Sequence, residues 1–404
     1  LERRYEPAYL TIDYQEVMMK RAIIVFLIFA GTGTAWGGQF RQLPVDVYLD
    51  KCQGGWAGQM IGVSYGAPTE FKAQGLIYEA PIPWGEDTIA NAIHQDDVYV
   101  ELSFLEALEK YGLDITYAEA GQAFAETKFP LWHANKAGRD NVKKGIMPPD
   151  SGSPKYNDHY QDIDFQIESD LFGLINPGLP KSLSAQCELF GRIMNSSDGL
   201  YGGMFMGAMY SDAFFESDRE KIVRYGLRAI PAWSTYAQTI RDVLRWHHEN
   251  PNDWRATWQK IQDKWAQHPS GHCSTDSEGF NIDASINGAY VVMGLLYGDG
   301  DLAKTLEISC RCGQDSDCNP SSAVGVLCTI MGYKAIPKEY TAGIPAIADQ
   351  PFANVKYTFN TLSPTCLKVV REIVKHAGGD SKMVDGKEVL FIPVQYPQAP
   401  KLER

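Results

Sequence analysis

Apolar residues recur at spacings of three and four along most of the chain, the period of a helix that buries one face. The pattern predicts helices over 45–66, 96–112, 117–129, 182–194, 201–217, 218–230, 234–250, 253–267, 286–298, 301–312 and 320–333. In 96–112, Val98, Leu102, Leu105 and Leu108 form an apolar stripe, and Glu101 and Glu109 fall on other faces. The stretches 202–208 and 321–332 are apolar nearly all round and rich in small residues, which suits helices at the centre of a bundle where backbones approach closely. Turn signals at Asn176-Pro177-Gly178, Asn250-Pro251 and Asp299-Gly300 separate the helices at short intervals.

Three stretches depart from this pattern. Residues 131–160, LWHANKAGRDNVKKGIMPPDSGSPKYNDHY, read as a long polar connection of the kind that serves as a lid or binding loop. In the tail, Asp385-Gly386 lies between short β-prone runs and signals a hairpin within 382–395. Near the start, Lys20 and Arg21 precede an apolar run from Ala22 to Ala30 and then small residues, the order of a secretory signal. That run is too short for a membrane span, which needs about 20 residues. The expected organisation is therefore a leader over 1–35, an all-α catalytic domain over 45–350 and a small C-terminal β-hairpin appendage over 351–404. The protein is expected to be exported, periplasmic or secreted, with no stable membrane anchor.

The 404 residues are 44% hydrophobic and 22% charged, an ordinary globular composition. With 37 Lys plus Arg against 50 Asp plus Glu and no basic stripe, a nucleic-acid partner is not expected. A small-molecule or glycoconjugate substrate is the remaining search. Eight cysteines are too dilute for a disulfide scaffold and show no zinc spacing, and Cys187 and Cys328 read as core residues.

Three segments carry candidate chemistry. Asp96 and Asp97 precede the helix beginning near Val98, where acids complement the helix dipole or bind a cation. In GQDSDCNPSS, Asn319 as N-cap and Pro320 at the first helical position account for the helix start, which leaves Asp315 and Asp317 without a capping duty. Two acids one residue apart can converge on one ion, and carboxylates suit Mg²⁺, Mn²⁺ or Ca²⁺. In GVSYGAPTEF a glycine-rich helix runs into a Pro turn that presents Glu70. Five carboxylates thus come from distant helix ends, which is how a helical domain assembles a dinuclear site.

These segments resemble the ADP-ribosylglycohydrolase family, including the dinitrogenase reductase-activating glycohydrolase, over roughly Val45 to Tyr340. The most specific match is GQDSDCNPSSAVGVLCTIMGYKAIP, followed by GQMIGVSYGAPTEF and HQDDVYVEL. Gln95, Val98 and Cys318 stand where the family has Thr, and Met194-Asn195 where it has a Thr-His pair. The resemblance implies an orthogonal multi-helix bundle with two divalent cations, Mg or Mn foremost and Ca next. Asp96, Asp97, Asp315 and Asp317 would be metal ligands with Cys318 beside them, and Glu70 and Asp97 would handle the proton of a water.

The expected reaction is metal-assisted hydrolysis of a glycosidic bond, ADP-ribosyl or a related ribosyl or glycosyl linkage, by ions roughly 3.5–4 Å apart. Glu168, which can also protonate a leaving group, and Asn319 are candidate substrate contacts. His133 and Asn135 can read the substrate, and Trp84, Trp132, Tyr201 and Tyr290 can stack on a sugar or base. The alternative is a catalytically silent, metal-stabilised sugar- or nucleotide-binding protein.

Overall fold

Helix starts along the chain carry their own signals, and these set the lengths of the elements. Thr116 forms a capping box with Glu119, and the side chains of Asp218, Ser234, Asp253, Asp283 and Asp301 each accept a backbone N–H in the first turn of the helix that follows. The structure, a computed structural model, describes residues 39–266 and 279–403. The leader expected over 1–35 lies outside the described residues.

Strand β1 (Phe40–Pro44) leads into helix α1 (Val45–Gly66). There follow α2 (Asp96–Tyr111), α3 (Tyr117–Ala125), α4 (His133–Lys143) and the short α5 (Asp164–Ile167) and α6 (Asp170–Ile175). The middle of the chain forms α7 (Pro180–Gly191), α8 (Ser197–Ala213), α9 (Arg219–Ala229), α10 (Thr235–Glu249) and α11 (Trp254–Trp265). Then come α12 (Ala284–Gly298), α13 (Leu302–Arg311), α14 (Cys318–Met331), two single turns α15 (Lys338–Thr341) and α16 (Ile344–Ile347), and α17 (Phe359–His376). A hairpin of β2 (Asp380–Val384) and β3 (Lys387–Pro393) ends the fold. Among the described residues no helix is long and apolar enough to cross a membrane.

As the all-round apolar pattern predicts, every residue from Asp198 to Ala213 on α8 and from Cys318 to Thr329 on α14 is buried. Both belong to one continuous core shared with α1, α2, α12 and α17. Cys187 and Cys328 lie in that core, and the seven cysteines among the described residues are free thiols.

Three local expectations change. The stretch 131–160 contains helix α4, whose buried face is Ala134, Asn135, Gly138, Asn141 and Val142. A Cβ on Gly138 would stand 2.4 Å from the Ile193 carbonyl oxygen, so the face is built for close backbone approach, without the aliphatic residues that a periodicity search detects. Glu101, expected on another face of α2, lies three residues after Val98 and four before Leu105, on the apolar stripe itself, and is fully buried. The segment 351–404 is not an appendage: α17 packs Phe359, Leu362, Cys366 and Val370 into the main core, and Leu390 and Ile392 of β3 join the same core while β2 is mostly exposed. The hairpin turns on Asp385 and Gly386, both at positive φ, and β1 pairs antiparallel with β3 in the order β1-β3-β2, Phe40 opposite Pro393.

Candidate metal centre and substrate cavity

Glycines four residues apart on α1 (Gly54, Gly58, Gly62 and Gly66) form a single stripe against the backbone of α14 and the loop before it. A Cβ on Gly62 would lie 2.3 Å from the Pro320 carbonyl oxygen, and one on Gly66 would lie 2.2 Å from that of Ser316. This contact draws the loop carrying Asp315 and Asp317 against the end of α1. The chain leaves α1 through a 3₁₀ turn at Ala67–Thr69, where the Thr69 hydroxyl meets that of Ser316 at 2.7 Å. Glu70 comes next, and Phe71 N–H donates to the Gln314 carbonyl while Gln314 N–H donates to that of Ala73. The Gln314 side chain accepts from Asn281 N–H at 2.9 Å and donates to the Gly279 carbonyl at 2.8 Å, holding a third segment to the same loop.

Asp96 and Asp97 form the first turn of α2, Asp96 half-buried at the cavity and Asp97 sealed behind it. The helix of Asp315 and Asp317 begins at Cys318, slightly before the boundary that the sequence pattern suggests. Asp317 holds its N-cap position without a side-chain capping bond. Asn319 is not the cap: its amide donates to Asn287 Oδ1 at 3.0 Å, and Pro320 sits in the first turn, where no N–H is needed.

Within this group Asp97 Oδ1, Asp315 Oδ1 and Asp317 Oδ1 are buried with no hydrogen-bond partner. The Cys318 thiol donates to Asp97 Oδ2 at 3.2 Å, and burial with the charges of Asp315 and Asp97 holds that thiol well above its usual range. Burial, then the Asp96 charge, pushes Asp97 up to about 8. Burial, then Asp97, pushes Asp317 up to about 7, and burial with the Asp317 charge holds Asp315 well above the carboxylate range. Glu70 is exposed at the rim, and partial burial of its carboxyl with the charges of Asp317 and Asp96 raises it to about 8. Buried carboxylates that repel one another and lack donors are a setting that divalent cations relieve. Ligand atoms of Asp315, Asp317 and Cys318 lie within 4.8 Å of one another. The hard carboxylate set fits Mg²⁺, Mn²⁺ or Ca²⁺, and a neutral thiol does not.

Facing these acids across a cavity of about 240 Å³ are Trp132, His133 and Asn135 of the α4 start and Asp164 of α5. Asp164 accepts the N–H groups of Ala134 and Asn135, at 3.3 and 2.9 Å, and so caps α4 from another helix. Burial raises Asp164 to about 7. The Asn135 amide donates to Glu168, which burial and Asp164 hold well above the carboxylate range. Beside this wall His133 Nδ1 and His159 Nδ1 lie 3.4 and 2.7 Å from Asp162 Oδ2.

The cavity therefore unites Glu70, Asp96, Asp315, Asp317 and Cys318, with Asp97 one layer behind. Glu168 and Asn319 are not on its wall: Glu168 stands behind Asn135, and Asn319 braces Asn287. Of the four aromatic candidates only Trp132 lines it. Tyr201 and Tyr290 are core residues, and Trp84 packs against Tyr65 and Tyr340. Sequence reasoning passes over Asp164 in favour of Glu168 within the same acidic run. The signal available is His133-Ala134-Asn135 as a helix start with no cap of its own.

The ADP-ribosylglycohydrolase family model matches residues 44–362. A solved structure, a chain of an ADP-ribosylglycohydrolase-related protein complex, is similar at 12% identity and a TM-score of 0.49, covering 81% of this chain and 99% of that one. Among curated proteins no match is found. The family match takes in both acidic helix starts, the glycine stripe and the far wall of the cavity, and the chain belongs to the ADP-ribosylglycohydrolase family.

Proposed function

We propose that the protein hydrolyses a glycosidic bond with the help of two divalent cations held by Asp96, Asp97, Asp315 and Asp317. The observation that carries this reading is the set of three buried carboxylate oxygens without partners, on Asp97, Asp315 and Asp317, in a family of glycohydrolases. Divalent ions there would polarise sugar oxygens and lower the pKa of a water. Glu70, at the rim with its carboxyl raised to about 8, is the residue that takes the water's proton. Asp97 anchors the inner side of the site, and Cys318 fixes one of its oxygens as a donor and not as a ligand. Glu168 acts through Asn135 by fixing the orientation of that amide against the cavity. The second reading, a catalytically silent metal-stabilised binding protein, is favoured by the thiol that occupies Asp97 Oδ2.

The test compares the wild-type chain with the Asp315→Asn, Asp317→Asn double variant by elemental analysis and by hydrolysis of ribosyl glycosides with added Mn²⁺ or Mg²⁺. The expected result is about two bound ions in the wild type, lost in the variant, with activity falling roughly 1000-fold. Activity that survives EDTA, or a wild type that binds no divalent ion, overturns the metal-dependent reading. Binding of metal without cleavage of any glycoside gives the site to the second reading.

A further inference from the structure

We propose that His133 is the general acid of the reaction and gives a proton to the leaving atom as the glycosidic bond breaks, an inference that rests on the glycoside-hydrolase reading above. The bond cleaved is then one whose leaving atom, an alcohol oxygen or a nitrogen, is too basic to depart without a proton.

The first observation is placement. Among the described residues that line the cavity, His133 alone can carry a positive charge. It stands across the space from the acids, and its charge bears on Glu70 and Asp96 at the metal side and on Asp164 beside it. When water displaces a leaving group in one step, the base and the acid stand on opposite faces of the sugar, as Glu70 and His133 do here. The carboxyl groups around the ring, Asp162, Asp164, Asp96 and Glu70, favour the protonated imidazole, the form that a proton donor needs.

The second is orientation. His133 Nδ1 lies 3.4 Å from Asp162 Oδ2, and Asp162 is fully buried. A carboxylate that holds one ring nitrogen fixes the tautomer and turns the other nitrogen away from it. The side chain of His133 is 28% exposed, so the edge it shows to the cavity is the one carrying Nε2. Asp162 is held in turn: His159 Nδ1 meets the same oxygen at 2.7 Å, the Asp162 N–H donates to the His159 carbonyl, and the Asn195 amide donates to the Asp162 carbonyl at 2.9 Å. The His133 ring also packs against Phe280 and meets His159 edge to face, at centroid distances of 6.2 and 5.4 Å.

The third is the backbone. His133 opens α4 at a φ of 36°, in the left-handed region that few residues other than glycine enter. Asp164 holds the next two residues in place by accepting the N–H groups of Ala134 and Asn135. Each Asp164 oxygen is thereby engaged as an acceptor, which leaves His133 as the proton donor of this wall.

In the step itself, the bond from the anomeric carbon to the leaving atom breaks, and the proton of His133 Nε2 passes to that atom. A water adds hydroxyl to the carbon and gives its other proton to Glu70. Solvent then returns a proton to His133 and takes one from Glu70, so the chain ends as it began. Asp162 and His159 are positioning residues.

The test measures kcat/KM of the Mn²⁺-loaded full chain for methyl and 4-nitrophenyl glycosides of ribose and of ADP-ribose, both anomers, in wild type and His133→Asn. Asparagine tolerates a left-handed backbone and gives no proton. Nitrophenolate departs without a proton and methoxide does not. The expected loss in His133→Asn is therefore roughly 100-fold or more for the methyl glycosides and within about threefold for the nitrophenyl ones. Asp162→Asn is expected to show the same selectivity at about 10-fold, which a merely structural role would not produce. Equal losses on both leaving groups overturn the inference and leave the hydrolase reading intact, whereas a wild type that cleaves none of the compounds overturns both. If neither variant folds, the wild type decides alone. A kcat/KM that differs by less than about 100-fold between the methyl and nitrophenyl compounds sustains an assisting acid, and a larger difference overturns it.

Discussion

Two groups of buried acids lie one helical turn apart in this protein, and only one of them opens onto a cavity. Asp97 and Glu101 are four residues apart on α2, hence on the same face. Asp97 stands one layer behind Asp96, Asp315, Asp317 and Glu70, which line the cavity, and its carboxylate meets the Cys318 thiol and the Ser321 hydroxyl while Oδ1 has no partner. Glu101 lies near Asp170 in the sealed interior, where one oxygen of each acid has donors, Leu171 N–H to Glu101 at 2.6 Å and Tyr210 hydroxyl and Gln59 amide to Asp170 at 2.7 and 3.0 Å, while the other oxygen of each has no partner. Burial, then the Asp170 charge, holds Glu101 well above the carboxylate range, and burial raises Asp170 to about 8 against the pull of Tyr210 and Gln59. Burial thus holds both acids of the sealed pair toward their protonated forms. In the open group Glu70 is exposed and Asp96 half-buried, Asp97, Asp315 and Asp317 each keep one buried oxygen without a partner, and four of the five acids line the cavity. Burial of an acid does not by itself make an ion site; the convergence of several acids on an open cavity does.

Neutralising one acid in each group gives the sharpest contrast. Asp97→Asn is expected to lower metal affinity and activity roughly 100-fold, because it removes a charge on which the ions depend. Glu101→Gln, one turn further along, replaces a group that burial holds toward its protonated form and that does not line the cavity, and is expected to leave kcat/KM within about threefold. Steady-state kinetics with metal titration on both variants checks this. Equal losses would mean that the two groups act as one site.

Proton linkage separates the groups next. With no ion bound, Asp97 and Asp317 hold protons in the folded chain up to about 8 and about 7, whereas their ordinary value is 3.8. Between those limits the folded chain binds more protons than the unfolded one, so stability falls as pH rises from about 4 to 8. Saturating Mn²⁺, which binds the ionised carboxylates, is expected to remove or reverse that slope. Denaturant midpoints at pH 5, 6.5 and 8, with EDTA and with Mn²⁺, measure it. A midpoint in EDTA that rises with pH would contradict the repulsive site described here.

The open group was legible in the sequence and the sealed one was not, for a physical reason. Asp315 and Asp317 precede a helix whose start Asn319 and Pro320 suffice to signal, and Asp96 and Asp97 crowd one helix start, so each left an excess of acid to account for. The glycines of α1 announced close packing, though not that their partner was α14. Glu101 carried no such excess: a lone Glu in an amphipathic helix is read as solvent-facing even though its spacing from Val98 and Leu105 puts it on the buried stripe, and the donors around it come from α6 and, through Asp170, from α1 and α8. Asp164 was missed for the same cause, since the helix it caps begins 31 residues earlier in the chain, at His133. Helix α4 escaped because its buried face is made of Ala, Gly and Asn, whose packing value depends on the backbone they meet. Hydrophobic period finds faces that bury oil, and it is blind to faces that bury amides and acids in matched pairs.

Removing a donor from the sealed pair is the mildest test and the most specific. Tyr210→Phe keeps the ring in the core beside Gly325 and deletes the hydroxyl that donates to Asp170 at 2.7 Å. Gln59 remains on the same oxygen, so the expected loss is that of a single buried hydrogen bond, about 1 kcal/mol by denaturant titration. Activity and metal content are expected to stay within twofold of wild type, because Tyr210 touches neither the cavity nor its acids. With one donor fewer, Asp170 resists ionisation more strongly against an unchanged burial penalty, so the fall in stability with rising pH is expected to extend further above pH 8 than in the wild type. A large drop in metal affinity in Tyr210→Phe would show instead that the sealed pair holds the inner face of the open site in position, and that the two acid groups on α2 are one mechanical unit.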